Sequence, residues 1–373
     1  MTCSSERRED GQDKVDGLTD LPINVIYQIQ EHMDIEDIAR ICVLSSQWRH
    51  HDGPIKTFLL DIPVIDSSEH SIIDQWILYL SNGLMDFTLL NLENVYAPYK
   101  LHSVVFSMKL VYLKLSNCIL RPPCSFGGFS RLRSLQLNRV IFELDVATYF
   151  LRFPNLKLLE FQECSGLHHL SIHAPELSTL KFEDCGIDII KLDTVMDCRK
   201  LKVFGVFLQE VVSQNRQHEA MKWIKLLSSW PELRALVLDR YFIKFLASAN
   251  VAGRLSVRLN QGVLGLYDLD FNNKDHIFSF LCILRSSPSL MSLRILLRAS
   301  REIDVNHFEG QRCSRIDELN NLRALEISNF HGSRAELTFV NLVLASALSL
   351  QKIVVEVDKE VSESQAIKIT EEL

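Results

Sequence analysis

The chain has 373 residues, 47% of them hydrophobic and 23% charged, so it can bury a sizeable core and exceeds one ordinary domain. Forty Lys and Arg against 47 Asp and Glu leave a net charge of −7, which argues against a nucleic-acid clamp and, with this composition, against wholesale disorder. No apolar run approaches the roughly 18 residues of a membrane helix.

Residues 1–16 read as a polar, disordered tail of mixed charge. No apolar segment follows their charges, so the expectation is no secretory signal and an intracellular chain, in the cytoplasm, the nucleus or both. From Leu18 to Arg49 the pattern turns helical. Pro22 suits a first turn, and Leu21, Val25, Ile26 and Ile29 form one apolar stripe. Asp34 can cap a second helix through Ile35, Ile38, Ala39 and Ile41. Ser45 or Ser46 can cap a short third helix carrying Trp48. So small a unit buries little surface alone and must pack on the rest of the chain or on another protein.

Beyond Ile55 the chain repeats. The template L-x-x-L-x-L-x-x-N/C describes a leucine-rich repeat, and Leu110, Leu113, Leu115 and Cys118 fit it fully. Leu132, Leu135, Leu137 and Val140 fit except at the end. Leu156, Leu159, Phe161 and Cys164 fit with Phe for one Leu, as do Leu177, Leu180, Phe182 and Cys185. Looser copies begin at Leu167, Leu201, Leu233, Leu290, Leu322 and Leu350. The starts at Leu110, Leu132, Leu156, Leu177 and Leu201 lie 22, 24, 21 and 24 residues apart, within the roughly 20–29 of such repeats. Helices are expected within Gln209–Trp230 and over Leu337–Ala347. Each copy supplies a short strand, with Leu113 and Leu115 pointing inward and Tyr112, Lys114 and Ser116 lining the other face. One copy cannot bury its apolar side, so neighbours must stack, with the outward positions on a concave surface.

Little in the chain suggests reaction chemistry. The nine cysteines are scattered and form no C-x-x-C pair, against both a disulfide framework and a zinc ribbon. Cys118, Cys164 and Cys185 occupy the repeat's Asn/Cys position, where a small side chain meets backbone at a turn. His168, His169 and His173 sit close together without the further ligands that a metal site needs. Gly127-Gly128 reads as a turn. There is no G-x-S-x-G, H-E-x-x-H, P-loop or G-x-G-x-x-G. The expectation is a chain that is not an enzyme and uses no metal or cofactor.

Three stretches resemble a known family. Leu21-Pro22-x-x-Val25-Ile26, Ile35-x-Asp37 and Val43-Leu44-Ser45-Ser46-x-Trp48-Arg49 look like an F-box. The copies after them look like the leucine-rich repeats of plant F-box proteins. Leu284–Leu290 and Asn329–Leu337 look like the FBD region that ends many of them. The fold implied is α/β, a small N-terminal three-helix F-box followed by an irregular leucine-rich-repeat solenoid, or horseshoe. Its boundaries are a tail at 1–16, F-box at 17–53, repeats at 54–283, FBD-like terminal repeats at 284–357 and a C-terminal tail at 358–373.

The resemblance implies a substrate-recognition subunit of an SCF-type cullin–RING E3 ubiquitin ligase. The F-box would dock a Skp-type adaptor through Leu21, Pro22, Val25, Ile26, Ile29, Val43, Leu44 and Trp48. The repeats would hold an unidentified protein substrate, with neither nucleic acid nor membrane as partner. The alternative is a repeat scaffold that binds partners but joins no ligase. In either case the concave positions are Tyr112, Lys114, Ser134, Gln136, Glu160, Gln162, His169, His173, Lys181 and Glu183.

Overall fold

In the copy that fits the template fully, Leu113 and Leu115 are buried while Tyr112, Lys114 and Ser116 face outward, the two-residue alternation of a strand with one covered side. The computed structural model describes residues 57–62, 70–81, 89–94, 97–143, 149–166, 170–185, 198–208, 217–249, 255–298 and 319–372. The chain divides into two units. Met1–Lys56 with Asn82–Asp86, including the whole helical unit expected at 17–53, lies outside the described residues. Thr57–Ser81 with Phe87–Leu373 carries every element that follows.

The first part of this unit is mostly strand. It holds β1 (Thr57–Ile62), helix α1 (His70–Ser81), β2 (Leu89–Asn94), β3 (Tyr99–Lys100), a 3-10 turn (Ser103–Ser107), β4 (Tyr112–Ser116), β5 (Cys118–Leu120) and β6 (Ser134–Asn138). Next come β7 (Ile141–Phe142), β8 (Tyr149–Arg152), β9 (Leu158–Gln162), β10 (Leu170–His173), β11 (Thr179–Glu183) and β12 (Val203–Phe207). After that, strands and helices alternate: α2 (Gln217–Ser229), β13 (Ala235–Asp239), α3 (Arg240–Ser248), β14 (Val263–Leu269), α4 (Lys274–Arg285) and β15 (Ser292–Leu297). The chain closes with β16 (Ala324–Phe330), α5 (Arg334–Ser346), β17 (Lys352–Val357) and α6 (Glu363–Glu372).

One parallel sheet runs through the unit in the order β1-β2-β4-β6-β9-β11-β12-β13-β14-β15-β16-β17. This is the α/β leucine-rich-repeat solenoid. Repeat length selects what backs each strand. From β2 to β12 the strands of this sheet start 21 to 24 residues apart, which leaves room only for short return strands. There the back carries the small parallel sheets β3-β5-β7 and β8-β10. Between β1 and β2, and from β12 onward, the starts are 28 to 32 residues apart, and helices of nine to thirteen residues occupy the described spans.

The stack is held from inside. Leu110, Leu132, Leu156, Leu177 and Leu201, each two residues before a strand, are 0–1% exposed. The inward strand residues Leu135, Leu159, Leu180, Phe204, Leu236 and Leu264 are buried behind them. At the far end of the early strands the chain turns through a left-handed residue: Asn117 (φ 52), Arg139 (φ 51), Glu163 (φ 49) and Asp184 (φ 53). Their N–H groups still donate across to the next repeat, for example Asn117 N to Asn138 O at 2.8 Å. Immediately after three of these corners, the buried thiols of Cys118, Cys164 and Cys185 donate to backbone carbonyls, Cys164 to Leu137 O and Gln162 O at 3.3 Å each. Burial pushes these thiols up, to about 12 for Cys118 and Cys164 and about 11 for Cys185, so they stay protonated. The turn expected at Gly127-Gly128 falls just before it, at Pro123–Phe126, where Phe126 N donates to Pro123 O at 2.8 Å, while Gly128 lies at φ +113, where a Cβ would strike the backbone of Arg152.

Four other expectations need correction. The copy starting at Leu167 is not a repeat of the long sheet: β10 pairs with β8 in register on the back of the solenoid, so His173 does not line the strand face. The boundary expected between 283 and 284 falls inside α4, where Ile283 and Leu284 are both buried, so the FBD-like stretch continues the same stack. The expected C-terminal tail contains α6, anchored by the buried Ile369 against Gly332. Its other residues are polar or exposed, so no apolar stripe marked it. Finally, β14 is a full member of the sheet that the leucine pattern missed, because Gln261 stands where the neighbouring copies carry Leu233 and Leu290.

Gln261 is fully buried. Its Nε2 donates to Ser287 Oγ at 2.9 Å, and its Oε1 has no partner among the described residues. An orphaned buried acceptor costs stability. Gln261→Leu restores the repeat residue and leaves Ser287 its bond to Ile283 O. It is expected to raise unfolding stability by about 1 kcal/mol, read from the thermal or denaturant midpoint.

Candidate functional site

Pairing in register lines up the outward side chains of successive strands in rows across the sheet. In the central row Asn91, Lys114, Gln136, Glu160 and Lys181 follow one another from β2 to β11. Residues of this row bind one another or the next outward position of the neighbouring strand. Lys114 pairs with Glu93, Gln136 Nε2 donates to Glu160 Oε2 at 2.5 Å, and Lys181 Nζ lies 2.7 Å from Glu160 Oε1. Burial alone would raise Glu160, but the bonds from Lys181 and Gln136 win and hold it below the usual carboxylate range. Glu93 is lowered chiefly by the Lys114 bond. At the other end of the sheet Glu326 takes Arg294 at 2.9 Å and Lys352 at 3.3 Å.

Eight of the ten positions expected on the concave surface therefore share one face: Tyr112, Lys114, Ser134, Gln136, Glu160, Gln162, Lys181 and Glu183. Tyr112 is 45% exposed at its edge. His173 lies on the back of the solenoid, and His169 lies outside the described residues. So do all eight expected adaptor-docking residues, Leu21 through Trp48.

The face changes character in its middle. From β12 to β15 the outward positions are mostly apolar, Val203, Gly205, Phe207, Ala235, Val237, Val263, Gly265, Tyr267 and Leu296, with Asp239, Ser292 and Arg294 the polar ones. Gly205, Val237 and Gly265 are direct cross-strand partners, so the central row loses its side chain on both sides of one valine. The result is a notch of about 700 Å³ floored by Gly205 and Val237 and walled by Phe207, Tyr267 and Leu296. The Phe207 and Tyr267 rings meet edge to face at 5.1 Å.

Charged groups rim the notch unevenly. Asp268 is held by Arg240 at 3.0 Å and Arg298 at 3.7 Å, and Lys181 by Glu160. Among the described residues Glu183 and Asp184 have no basic partner of their own at salt-bridge distance. Burial, then the charge of Asp184, pushes the Glu183 carboxyl above its ordinary range. The outward positions after β11 had not been singled out from the sequence. The available signal was a glycine in the middle of each of two apolar strand segments, Val203–Phe207 and Val263–Leu269, a pattern that marks close approach of a ligand or another backbone.

Among the described residues no group of three His, Cys, Asp or Glu side chains could hold a metal ion, and no helix is long and apolar enough to cross a membrane. The strand face carries an apolar recess set among polar groups on a sheet, an arrangement with the shape and chemistry to take up a ligand.

Comparison with known proteins agrees with the repeat architecture. The family model described as the At1g61320/AtMIF1 LRR domain matches residues 141–372, more than half of the chain, and the chain belongs to that family. The F-box/FBD/LRR-repeat protein At1g13570 of Arabidopsis thaliana is 27% identical over 389 residues, covering 91% of this chain and 91% of that protein. The F-box protein At1g10780 of the same plant is 26% identical over 278 residues, covering 73% of this chain and 55% of that protein. Among solved structures, a chain in the crystal structure of a TLR13–ssRNA13 complex is 17% identical at a TM-score of 0.29. The match covers 66% of this chain and 39% of that one, and at that score it carries no argument.

Asp239 forms the buried edge of the notch and caps α3, accepting from Phe242 N at 2.9 Å and Leu208 N at 3.1 Å. Burial raises its carboxyl from 3.8 to about 6 despite these bonds. The folded state then takes up the proton before the unfolded state does. The resulting stability is present below 3.8 and is lost as pH rises through about 6. Relative to Asp239→Asn, which keeps a capping oxygen without the charge, the wild type should gain stability as pH falls from 7.5 to 5. Unfolding midpoints of the two chains across that range check this.

Proposed function

We propose that this chain, a member of that leucine-rich-repeat family, is a substrate-recognition subunit of an SCF-type cullin–RING E3 ubiquitin ligase. The observation that carries the reading is similarity along 91% of both chains to a protein named for its F-box, FBD and repeats, beside the F-box-like stretch at 17–53 of this sequence. In this reading the stretch docks a Skp-type adaptor through Leu21, Pro22, Val25, Ile26, Ile29, Val43, Leu44 and Trp48. The strand face holds the protein to be modified.

The physical role is one of concentration. The transfer of ubiquitin takes place on partner enzymes, and a subunit joining adaptor to substrate raises the local concentration of one beside the other. The face suits this division of labour. The thiols of Cys118, Cys164 and Cys185 lie behind the face, buried and protonated, so they serve packing rather than nucleophilic chemistry. Its outward side chains are polar around an apolar recess, as at the rim and centre of a protein interface.

Leu21→Ala combined with Pro22→Ala should abolish capture of a Skp-type adaptor by the full chain, because a few central anchors carry most docking energy. The circular dichroism and unfolding midpoint of the repeats should stay unchanged. Undiminished capture would overturn the ligase assignment. Stable partner binding with no co-purifying cullin would point instead to a free-standing repeat scaffold.

A further inference from the structure

The notch between β12 and β15 has a shape and a charge that restrict what can occupy it. Its floor is Gly205 and Val237, cross-strand partners, and its walls are Phe207, Tyr267 and Leu296. The Tyr267 hydroxyl bonds to no described residue. Two of the charged groups at the mouth are already neutralised, Lys181 by Glu160 and Asp268 by Arg240 and Arg298. The Asp239 carboxylate is buried and accepts from Phe242 N and Leu208 N, which leaves Glu183 and its neighbour Asp184, both on the β11 side, as the excess open to solvent. We infer that the notch seats a large apolar side chain from an extended segment of the bound protein, with a Lys or Arg beside it paired to Glu183 and Asp184.

Three observations point to such a segment. The recess is apolar at its base, so an aromatic or long aliphatic group gains most by entering it. A cation beside that group would relieve the crowding of Glu183 against Asp184, and an acidic neighbour would worsen it. Along the sheet the recess is flanked by polar rows, Gln136 and Glu160 on one side and Arg294 and Glu326 on the other. These can hydrogen-bond a backbone that continues past the anchor in both directions. This inference rests on the reading of the strand face as the substrate-binding surface and adds the chemistry of what is bound.

The test uses the full chain as bait for a displayed library of random nonapeptides. Enriched sequences should carry Trp, Phe, Tyr, Leu or Met with Lys or Arg within two positions. A fluorescein-labelled copy of an enriched peptide then measures affinity. Gly205→Val should weaken it about tenfold by raising the floor, as loss of a central anchor site does. Valine fits this row: Val237 already stands in it, and a Cβ at Gly205 would lie 3.4 Å from Lys181 Cγ, an ordinary contact. Glu183→Gln with Asp184→Asn should also weaken binding and flatten its salt dependence. Asn tolerates the left-handed backbone of Asp184, so this variant stays folded even if Gly205→Val does not.

Enrichment of acidic peptides, of peptides without a large apolar residue, or of none would overturn the inference. So would affinity unchanged by the charge variant. Adaptor capture, scored on the same preparations, separates the two claims. Capture lost while peptides still enrich sinks the ligase reading alone; capture retained without enrichment sinks this inference alone.

Discussion

A parallel strand ends on the side of the sheet opposite to where its neighbour must begin, so every repeat here has to carry the chain back behind the sheet before the next strand starts. The return is short in the first part of the solenoid and long in the second, and the rest of the structure follows from that. A span of 21 to 24 residues admits a tight left-handed corner and a strand of two to four residues. A span of 28 to 32 admits a helix, and with it a thicker hydrophobic layer in which Trp223, Phe242, Phe280 and Phe339 are buried. In both regimes the strands start in the same register, because the inward pair of each strand stacks on the inward pair of the last, and the register shifts only near the ends of β14 and β16. A slip of one residue would turn that pair outward.

This explains which parts of the fold could be read from the sequence. The strands β4, β6, β9 and β11 follow the leucine template because their only covered side is the one that the template records. The helices were harder. In α4, Ile277, Phe280, Leu281, Cys282, Ile283 and Leu284 are all buried, so the stretch is apolar over most of its circumference and shows little of the stripe that marks a surface helix. Helix α3 starts on the residue after β13, and Asp239 serves as both strand end and cap. No loop residue separates the two elements. Strand β14 escaped for a chemical reason, since Gln261 keeps the place of a leucine while spelling a polar residue. The return strand β10 mimicked a repeat because its Ile172, though on the back of the solenoid, is buried like an inward strand residue.

The binding surface was half legible for a related reason. Polar residues alternating with leucine announce an outward row, so Lys114, Gln136, Glu160 and Lys181 could be placed together before their contacts were known. Once folded, these groups satisfy one another across neighbouring repeats. Exposed pairs of this kind add little stability each, and their mutual neutralisation leaves that part of the face electrically quiet. The apolar outward positions after β11 have no such signature, because an outward Val or Phe in a strand reads as core.

Gly205 and Gly265 separate the two kinds of outward position. Neither has the positive φ that favours glycine, unlike Gly128, Gly166 and Gly332. A Cβ at Gly205 would meet nothing closer than 3.4 Å, and one at Gly265 would come to 3.3 Å of the Val237 side chain, a fit within reach of a small rotation. Backbone geometry therefore does not require glycine at either place, and glycine in a strand interior is destabilising by roughly 0.5–1 kcal/mol relative to alanine. What the two glycines do is leave the row bare on either side of Val237, and Gly205 floors the apolar recess that Glu183 and Asp184 border. Under the proposed reading, Gly205 gives up a little stability to keep the recess open for a bound side chain.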